Sequence, residues 1–322
     1  MVAIGPAGLL TMVFIVTGAS SGLGYELTRI LYGAGATVYM LTRSRANADD
    51  AMARITAFCA AKPHHHHVKG SMEFIPMDLT DFASVKTAAE QFLARESRLD
   101  VLFNNDGIVA TPNPPGTAQG TEYHFTANSL GGFLLTRLLS PILTRIAAAS
   151  APDSVRVVWS ASILVEMMTP PSGIRDTFLQ NTDTVTEPNE LYSSSKAANW
   201  FTASEFARRT GRESGVLHIA GNPGSYRTNI WRDMWNSWLV WMLWPILRDP
   251  VHGAETYLFM GLSGEVTADD AVAGRYVVPG GRWHPGGMRE DLLLALRSVE
   301  EGGSGRARMY FDWCEERVKG LL

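Results

Sequence analysis

Short apolar, β-rich runs recur near residues 13–17, 37–42, 72–76, 101–103, 155–160, 217–220 and 275–278, separated by longer stretches whose apolar positions follow helical spacing. Strands alternating with helices predict an α/β fold: a doubly wound parallel sheet of about seven strands flanked by helices. No internal repeat or Pro/Ser-rich linker splits the pattern, so residues 1–322 are expected to form one domain. Residues 163–191 contain Pro170, Pro171, Ser172 and Gly173, then an acidic, Thr-rich stretch through Glu187 and Pro188, which favours an irregular inserted loop. In a sheet of this kind a ligand is expected at the C-terminal strand ends, at the topological switch point.

Two stretches carry candidate chemistry. Residues 17–24 read Thr-Gly-Ala-Ser-Ser-Gly-Leu-Gly, after the apolar run at 13–16 and before a helical pattern over residues 25–31. A strand thus meets a helix through glycines. Gly18 permits the turn, Gly22 lets the backbone approach a phosphate, Gly24 lets helix and strand pack closely, and the helix N-terminus faces the anion. Such glycine patterns also occur in ordinary tight turns, and the second stretch favours the nucleotide reading. There Tyr192 and Lys196 frame the run Tyr-Ser-Ser-Ser-Lys. At i and i+4 they share a helix face with their polar tips close. Bringing a phenol from its ordinary pKa of about 10 to about 7 takes roughly 4 kcal/mol of preferential anion stabilisation, which a nearby ammonium in a low-dielectric site supplies. Tyr192 is therefore expected to exchange a proton near neutrality.

With these motifs in this order the chain resembles the short-chain dehydrogenase/reductase family, with matches from about residue 13 to about residue 282. Thr17, Gly18, Gly22 and Gly24 reproduce the family's Thr-Gly-x-x-x-Gly-x-Gly. Asp78-Leu79 resembles its acidic pair near adenine, and Asn104-Asn105-Asp106-Gly107 resembles the Asn-Asn-Ala-Gly element that closes the fourth strand. Asp106 stands where members usually carry Ala, and a carboxylate there is expected to repel a nucleotide or rearrange the loop. Asn128 matches the helix Asn that in the family supports a water and a proton relay through the catalytic Lys. Counting six residues on from Arg156 gives Ser162 as the catalytic hydroxyl, with Ser160 as the rival, two residues away on the same side of the strand. Pro223, Gly224, Tyr226 and Thr228 match the segment that holds the nicotinamide carboxamide.

The resemblance implies a Rossmann-type fold and carbonyl reduction or alcohol oxidation by hydride transfer. Tyr192 would be the acid/base and Lys196 would lower its pKa and hold the nicotinamide ribose, while Ser162 would bind the substrate oxygen and Asn128 complete the relay. The cofactor contacts it implies are Gly18, Ser20, Ser21, Gly22, Leu23, Gly24, Asp78, Leu79, Asn105, Gly107, Tyr192, Lys196, Pro223, Gly224, Tyr226 and Thr228. The second strand ends in Arg43-Ser44-Arg45 with no acidic residue, which favours NADP(H), Arg43 meeting the extra phosphate, over NAD(H) as the alternative.

Two further segments bear on the substrate. Trp231, Trp235, Trp238, Trp241 and Trp244 recur at helical spacing within residues 225–248, where the family has its substrate lid. A lid of this composition suggests a bulky hydrophobic substrate touching Trp231 and Trp235; a core or dimer-contact helix is the competing reading. Residues 283–322 resemble the C-terminal extensions of fungal members related to retinol-dehydrogenase-like enzymes, which often reduce hydrophobic carbonyls in secondary metabolism. Asp106 keeps a rival open, a redox-neutral isomerase or cyclase on the same fold with the nucleotide structural or lost. A binding protein without turnover would have lost Tyr192 or Lys196, and both are present.

Composition changes little. The chain has 322 residues, 46% of them hydrophobic, and a net charge of -4, which gives no argument for nucleic acid. Residues 1–16 are mostly apolar but lack a basic n-region, and residues 13–17 are needed as the first strand, so a cytoplasmic enzyme is expected. Residues 237–247 are too short to span a membrane, and no stable membrane insertion is expected. Cys59 and Cys314 have no metal-type spacing, and His64 to His67 read as solvated loop, so no metal is expected. The family commonly forms homodimers and homotetramers through its helices, and the resemblance allows either.

Overall fold

The structure, a computed structural model, describes residues 9–61, 70–228 and 247–322. Four central strands, β1 (Val13–Thr17), β4 (Val101–Asn104), β5 (Arg156–Ser160) and β6 (Leu217–Gly221), are buried at every position, as strands covered on both faces must be. They are continued on one side by β2 (Thr37–Thr42) and β3 (Ser71–Pro76), and on the other by β7 (Tyr276–Val278) and β8 (Arg282–Trp283). The order is β3-β2-β1-β4-β5-β6-β7-β8, parallel throughout except for the antiparallel β7–β8 pair. β3 exposes Glu73 and Pro76, residues suited to an edge. The eighth strand exceeds the expected count of about seven. It exists because Gly280 and Gly281, both at positive φ, fold the chain back on β7, and two residues are too few to show an alternating pattern.

Helices cover both faces. On one, α1 (Gly22–Gly33) packs with the helix Val251–Leu262 over a core that includes Phe14, Val16, Leu27 and Tyr257. The other carries the helices Phe82–Arg95, Tyr123–Ala147 and Pro188–Phe206, over Phe92, Phe133, Trp159 and Phe201. The helix Tyr123–Ala147 is long and apolar enough to cross a membrane, yet its residues supply the sheet's core. The helices that follow β1 and β4 lie on opposite faces, so the strand order reverses between these two strands and leaves a crevice at their C-terminal ends.

The C-terminal helix Arg306–Val318 lies on Pro188–Phe206. Phe311 meets Phe133 and Phe206 edge-on at 5.1 and 4.9 Å, and the Tyr310 hydroxyl donates to Ser129 Oγ at 2.9 Å. Pro188–Phe206 is consequently buried at every residue from Leu191 to Phe206.

Residues 163–191 correct the expectation of an irregular loop. They contain the short helices Leu164–Met168 and Asp176–Gln180 and a 3-10 turn at Thr182–Thr184. Partners far along the chain hold them: Arg289 donates to the carbonyls of Glu166, Thr169 and Pro170, Arg306 pairs with Asp176, and Phe178 stacks on Phe125 at 4.1 Å. Trp231 and Trp235, with the rest of the aromatic segment and His64 to His67, lie outside the described residues.

Candidate active site

A cleft of about 590 Å³ opens over the C-terminal ends of β1, β4, β5 and β6. Its floor begins at the glycine turn. Gly18 and Gly22 have φ of 66° and 57°, a region that side chains disfavour. A Cβ on Gly24 would sit 2.5 Å from the Gly18 carbonyl oxygen and 2.7 Å from Asn105 Nδ2, so only glycine lets α1 approach the strand end this closely. Thr17 Oγ1 accepts from the backbone N–H groups of Asn105 and Asp106 at 3.0 and 2.9 Å, stitching the turn after β1 to the loop after β4. Ser21, the N-cap of α1, makes no side-chain cap, and the first turn holds no acidic residue. The leading N–H groups of α1 therefore suit an anion.

Around this turn the cleft is lined by Ser21, Leu23, Asn105 and Gly107, with Asp78 and Leu79 to one side. Asp78 Oδ1 accepts from the backbone N–H and the hydroxyl of Thr80. Arg43 is exposed, lines the cleft and has no ion pair among the described residues, whereas Arg45 is engaged by Asp49 and lies over the Phe74 ring. Pro223, Gly224, Tyr226 and Thr228 close the opposite wall, and the Thr228 methyl lies 3.3 Å from where a Cβ on Gly22 would be. Ser20 and Gly24 do not line the cleft; Gly24 works behind it, through packing.

Ser162, Tyr192 and Lys196 meet at the other end. The helix that carries the last two starts cleanly: the Glu187 carboxylate accepts from the Glu190 N–H at 2.7 Å and Pro188 occupies the first turn. Ser162 sits just beyond β5 and hydrogen-bonds the Tyr192 phenol. Ser160, the rival, is engaged elsewhere, its Oγ accepting from the Tyr257 hydroxyl at 2.8 Å. Lys196 Nζ reaches the Ser160 carbonyl at 3.5 Å and lies 2.7 Å from where a Cβ on Gly107 would be.

The electrostatics correct the expectation of an acidic phenol. Burial raises the Tyr192 pKa, the Ser162 hydrogen bond opposes that rise, and Lys196 does not figure among the influences on it. The ammonium instead lies against Gly107 and the Ser160 carbonyl. Burial also pushes Lys196 down from 10.5 to about 8, with Asp106 working against the fall. Asp106 is half-buried on the cleft floor, its Oδ1 accepting from the Gly107 N–H at 2.9 Å. Loss of water raises its carboxyl pKa, opposed by Arg43, that hydrogen bond and Lys196.

Asn128 sits one layer beneath the cleft, in a π-turn at Thr126–Leu130 within the long helix. Its amide accepts from Ile108 N–H at 2.8 Å and donates to Ser195 Oγ at 2.9 Å and the Ile108 carbonyl at 3.2 Å. Its own carbonyl is taken by Asn199 Nδ2 at 2.8 Å, which also donates to the Ser160 carbonyl at 2.8 Å. Asn199 and Tyr257 were not singled out from the sequence, and neither was His124, whose Nε2 accepts from the Thr111 N–H at 3.0 Å and fixes the loop over the cleft. An Asn three residues after Lys196, a spacing that puts the two on one helix face, was the available signal for Asn199.

Comparison with known proteins agrees with this geometry. The family model for short chain dehydrogenase matches residues 12–164. A short-chain dehydrogenase/reductase of Phomopsis amygdali is 42% identical over 316 residues, covering 97% of this chain and 90% of that protein. Among solved structures, an uncharacterized protein from Mycobacterium paratuberculosis superposes with a TM-score of 0.66 at 28% identity, over 96% of this chain and 94% of the other. The NADP active-site complex of RhlG from Pseudomonas aeruginosa gives a TM-score of 0.60 at 25% identity, over 85% and 96% of the two chains. With its glycine turn, its Tyr192/Lys196 helix and relatives of such coverage, the chain belongs to the short-chain dehydrogenase/reductase family and is an oxidoreductase.

Proposed function

We propose that the protein uses NADP(H) to reduce a ketone or aldehyde of a bulky hydrophobic substrate, or runs the reverse alcohol oxidation. The convergence of Ser162, Tyr192 and Lys196 at one end of a cleft whose other end carries the glycine turn and Arg43, which has no ion pair among the described residues, is the observation that supports this reading. A dinucleotide fits the residues present, since the open N-terminus of α1 suits its phosphates and Arg43 suits an additional one. When bound, the nicotinamide supplies the hydride.

The chain supplies the proton and the placement. Tyr192, kept protonated by burial, donates to the carbonyl oxygen, and Ser162 holds that oxygen beside it. Lys196 places positive charge under the reacting end. Asn128 and Asn199 fix the π-turn against β5, which sets the position of Lys196 from beneath. Ile108, Val109, Ile163 and Leu164 give the substrate end an apolar wall.

The test is to titrate the purified protein with NADPH and NADH and follow nicotinamide absorbance with a panel of bulky ketones and aldehydes. Tyr192→Phe should abolish turnover and leave nucleotide binding intact, and Arg43→Ala should weaken NADPH far more than NADH. Equal losses for both nucleotides would overturn the phosphate assignment. The carboxylate of Asp106 favours one second reading, a redox-neutral isomerase or cyclase. Substrate that rearranges while bound nucleotide stays unconsumed would establish it.

A further inference from the structure

Lys196 is a buried ammonium with few partners. It is 4% exposed, and among the described residues it forms one hydrogen bond, the 3.5 Å contact to the Ser160 carbonyl, and no ion pair within 4.0 Å. Its three donors and full charge are therefore poorly met by contact. Asp106 supplies a charge of the opposite sign next door. Lys196 Nζ packs on Gly107, and the side chain of the preceding residue, Asp106, is pinned over Gly18, its Oδ1 2.9 Å from where a Cβ on Gly18 would be. The carboxylate accepts from the Gly107 N–H and makes no contact pair with Lys196 within 4.0 Å, so the two charges act on one another across the cleft floor.

We propose that Asp106 is a positioning residue of this site: its carboxylate is the counter-charge that keeps Lys196 an ammonium where the described residues offer the cation one hydrogen bond and no ion pair. The idea rests on the reading of Lys196 as the partner of Tyr192. It gives a role to a carboxylate that otherwise only disfavours a nucleotide. Among the described residues, the groups that face Asp106 are Arg43 and Lys196 as cations, Asp78 as an anion and the Tyr257 phenol; those around Lys196 are Asp106, the phenol of Tyr192 one turn earlier, and the neutral Asn128 and Ser160. Arg43 and Asp78 are left in place by the substitution, so the coupling between Asp106 and Lys196 is what it isolates. Asp106→Asn keeps the shape and the oxygen that accepts from the Gly107 N–H, and removes only the charge.

The experiment measures Lys196 directly, in the nucleotide-free protein, by its rate of acetylation with acetic anhydride against pH, read by mass spectrometry of the peptide that carries it. In wild type the midpoint should lie near the value of about 8 given by burial. In Asp106→Asn it should move to lower pH. A tenfold loss of proton affinity would raise the neutral, reactive fraction at pH 7 about fivefold, from about a tenth to about a half. Asp106→Glu should restore the wild-type midpoint. Should Asp106→Asn fail to fold, Asp106→Ala carries the same comparison. An unchanged or higher midpoint in a folded variant overturns the proposal, whatever happens to turnover. A lowered midpoint in a protein that shows no carbonyl reduction would uphold the charge pairing and overturn the reductase reading, so the two failures are separable. Where turnover is measured, the pH profile of Asp106→Asn should shift in the same direction as the labelling midpoint.

Discussion

Replacing Lys196 by Met should make the protein more stable at neutral pH while removing its activity. The ammonium is buried, and burial takes its pKa from 10.5 down to about 8. That fall corresponds to roughly 3 kcal/mol of free energy set against the folded, charged form. Met has a similar length and no charge. Its removal of the ammonium leaves Asp106 with less compensation, so the net gain expected at pH 7 is about 1 to 2 kcal/mol. The pH dependence identifies the cause. Below pH 8 Lys196 is charged in both the folded and the unfolded chain, and the whole cost is present. Between pH 8 and 10.5 the folded protein gives up its proton while the unfolded chain keeps it, so wild-type stability recovers as pH rises. At pH 10 the residual cost should be under about 1 kcal/mol. Urea denaturation of both proteins at pH 7 and pH 10 measures the gap between them, and effects of titrating groups that do not interact with Lys196 cancel in the comparison. A variant less stable than wild type at pH 7, or a gap as wide at pH 10 as at pH 7, would refute the reasoning.

Other substitutions test separate parts of the site and the core. Ser162→Ala should lower kcat by about 10²- to 10³-fold, whereas Ser160→Ala, whose hydroxyl serves Tyr257, should cost mainly about 1 kcal/mol of stability; steady-state kinetics and urea melts on both separate the roles, and the reverse pattern would make Ser160 the substrate hydroxyl. Gly24→Ala places a Cβ 2.5 Å from the Gly18 carbonyl oxygen, a backbone atom that has to move, so a loss of about 1 to 3 kcal/mol with weakened nucleotide affinity is expected by melting and fluorescence titration. His218 stacks on Phe206 at 4.5 Å, and burial holds its pKa down at about 3 against an ordinary 6.5. The unfolded chain takes up that proton first, so stability is lost as pH falls below 6.5, by roughly 3 kcal/mol at pH 4.5, and His218→Phe should remove that slope in melts between pH 7 and 4.5.

The parts of this fold that were legible in the sequence are those set by neighbours along the chain. The strands at Val13–Thr17 and Thr37–Thr42 match the apolar runs residue for residue, and Gly18 and Gly24 stand where a tight turn and a close approach require them. Residues 163–191 were illegible because their order comes from partners more than a hundred positions away. Arg289 binds the carbonyls of Glu166, Thr169 and Pro170, and Arg306 holds Asp176. Locally those residues carry only the prolines, glycine and threonines of a loop. The short β8 was hidden for a related reason, since two residues have no period and gain their strand character only by lying beside β7.

The same division explains why Tyr192 and Lys196 were found and their electrostatics misjudged. A spacing of four on a helix settles which face two side chains share, and it does so from the sequence alone. A pKa depends on how much water and which charges remain around a group after folding. Here those surroundings come from the end of β5, the π-turn of the long helix and the loop after β4, none of them near residue 192 in the chain. Burial outweighs the Ser162 hydrogen bond at the phenol, and it leaves Lys196 dependent on Asp106. An acid held in its protonated form suits proton donation to a carbonyl oxygen, so on the proposed reading reduction is expected to dominate at neutral pH, for a reason that the motif does not contain. Oxidation, which needs the phenolate, should then gain on reduction as pH rises, and the ratio of the two initial rates between pH 7 and pH 10 measures that. A ratio that stays flat would mean that Tyr192 is not the group that passes the proton.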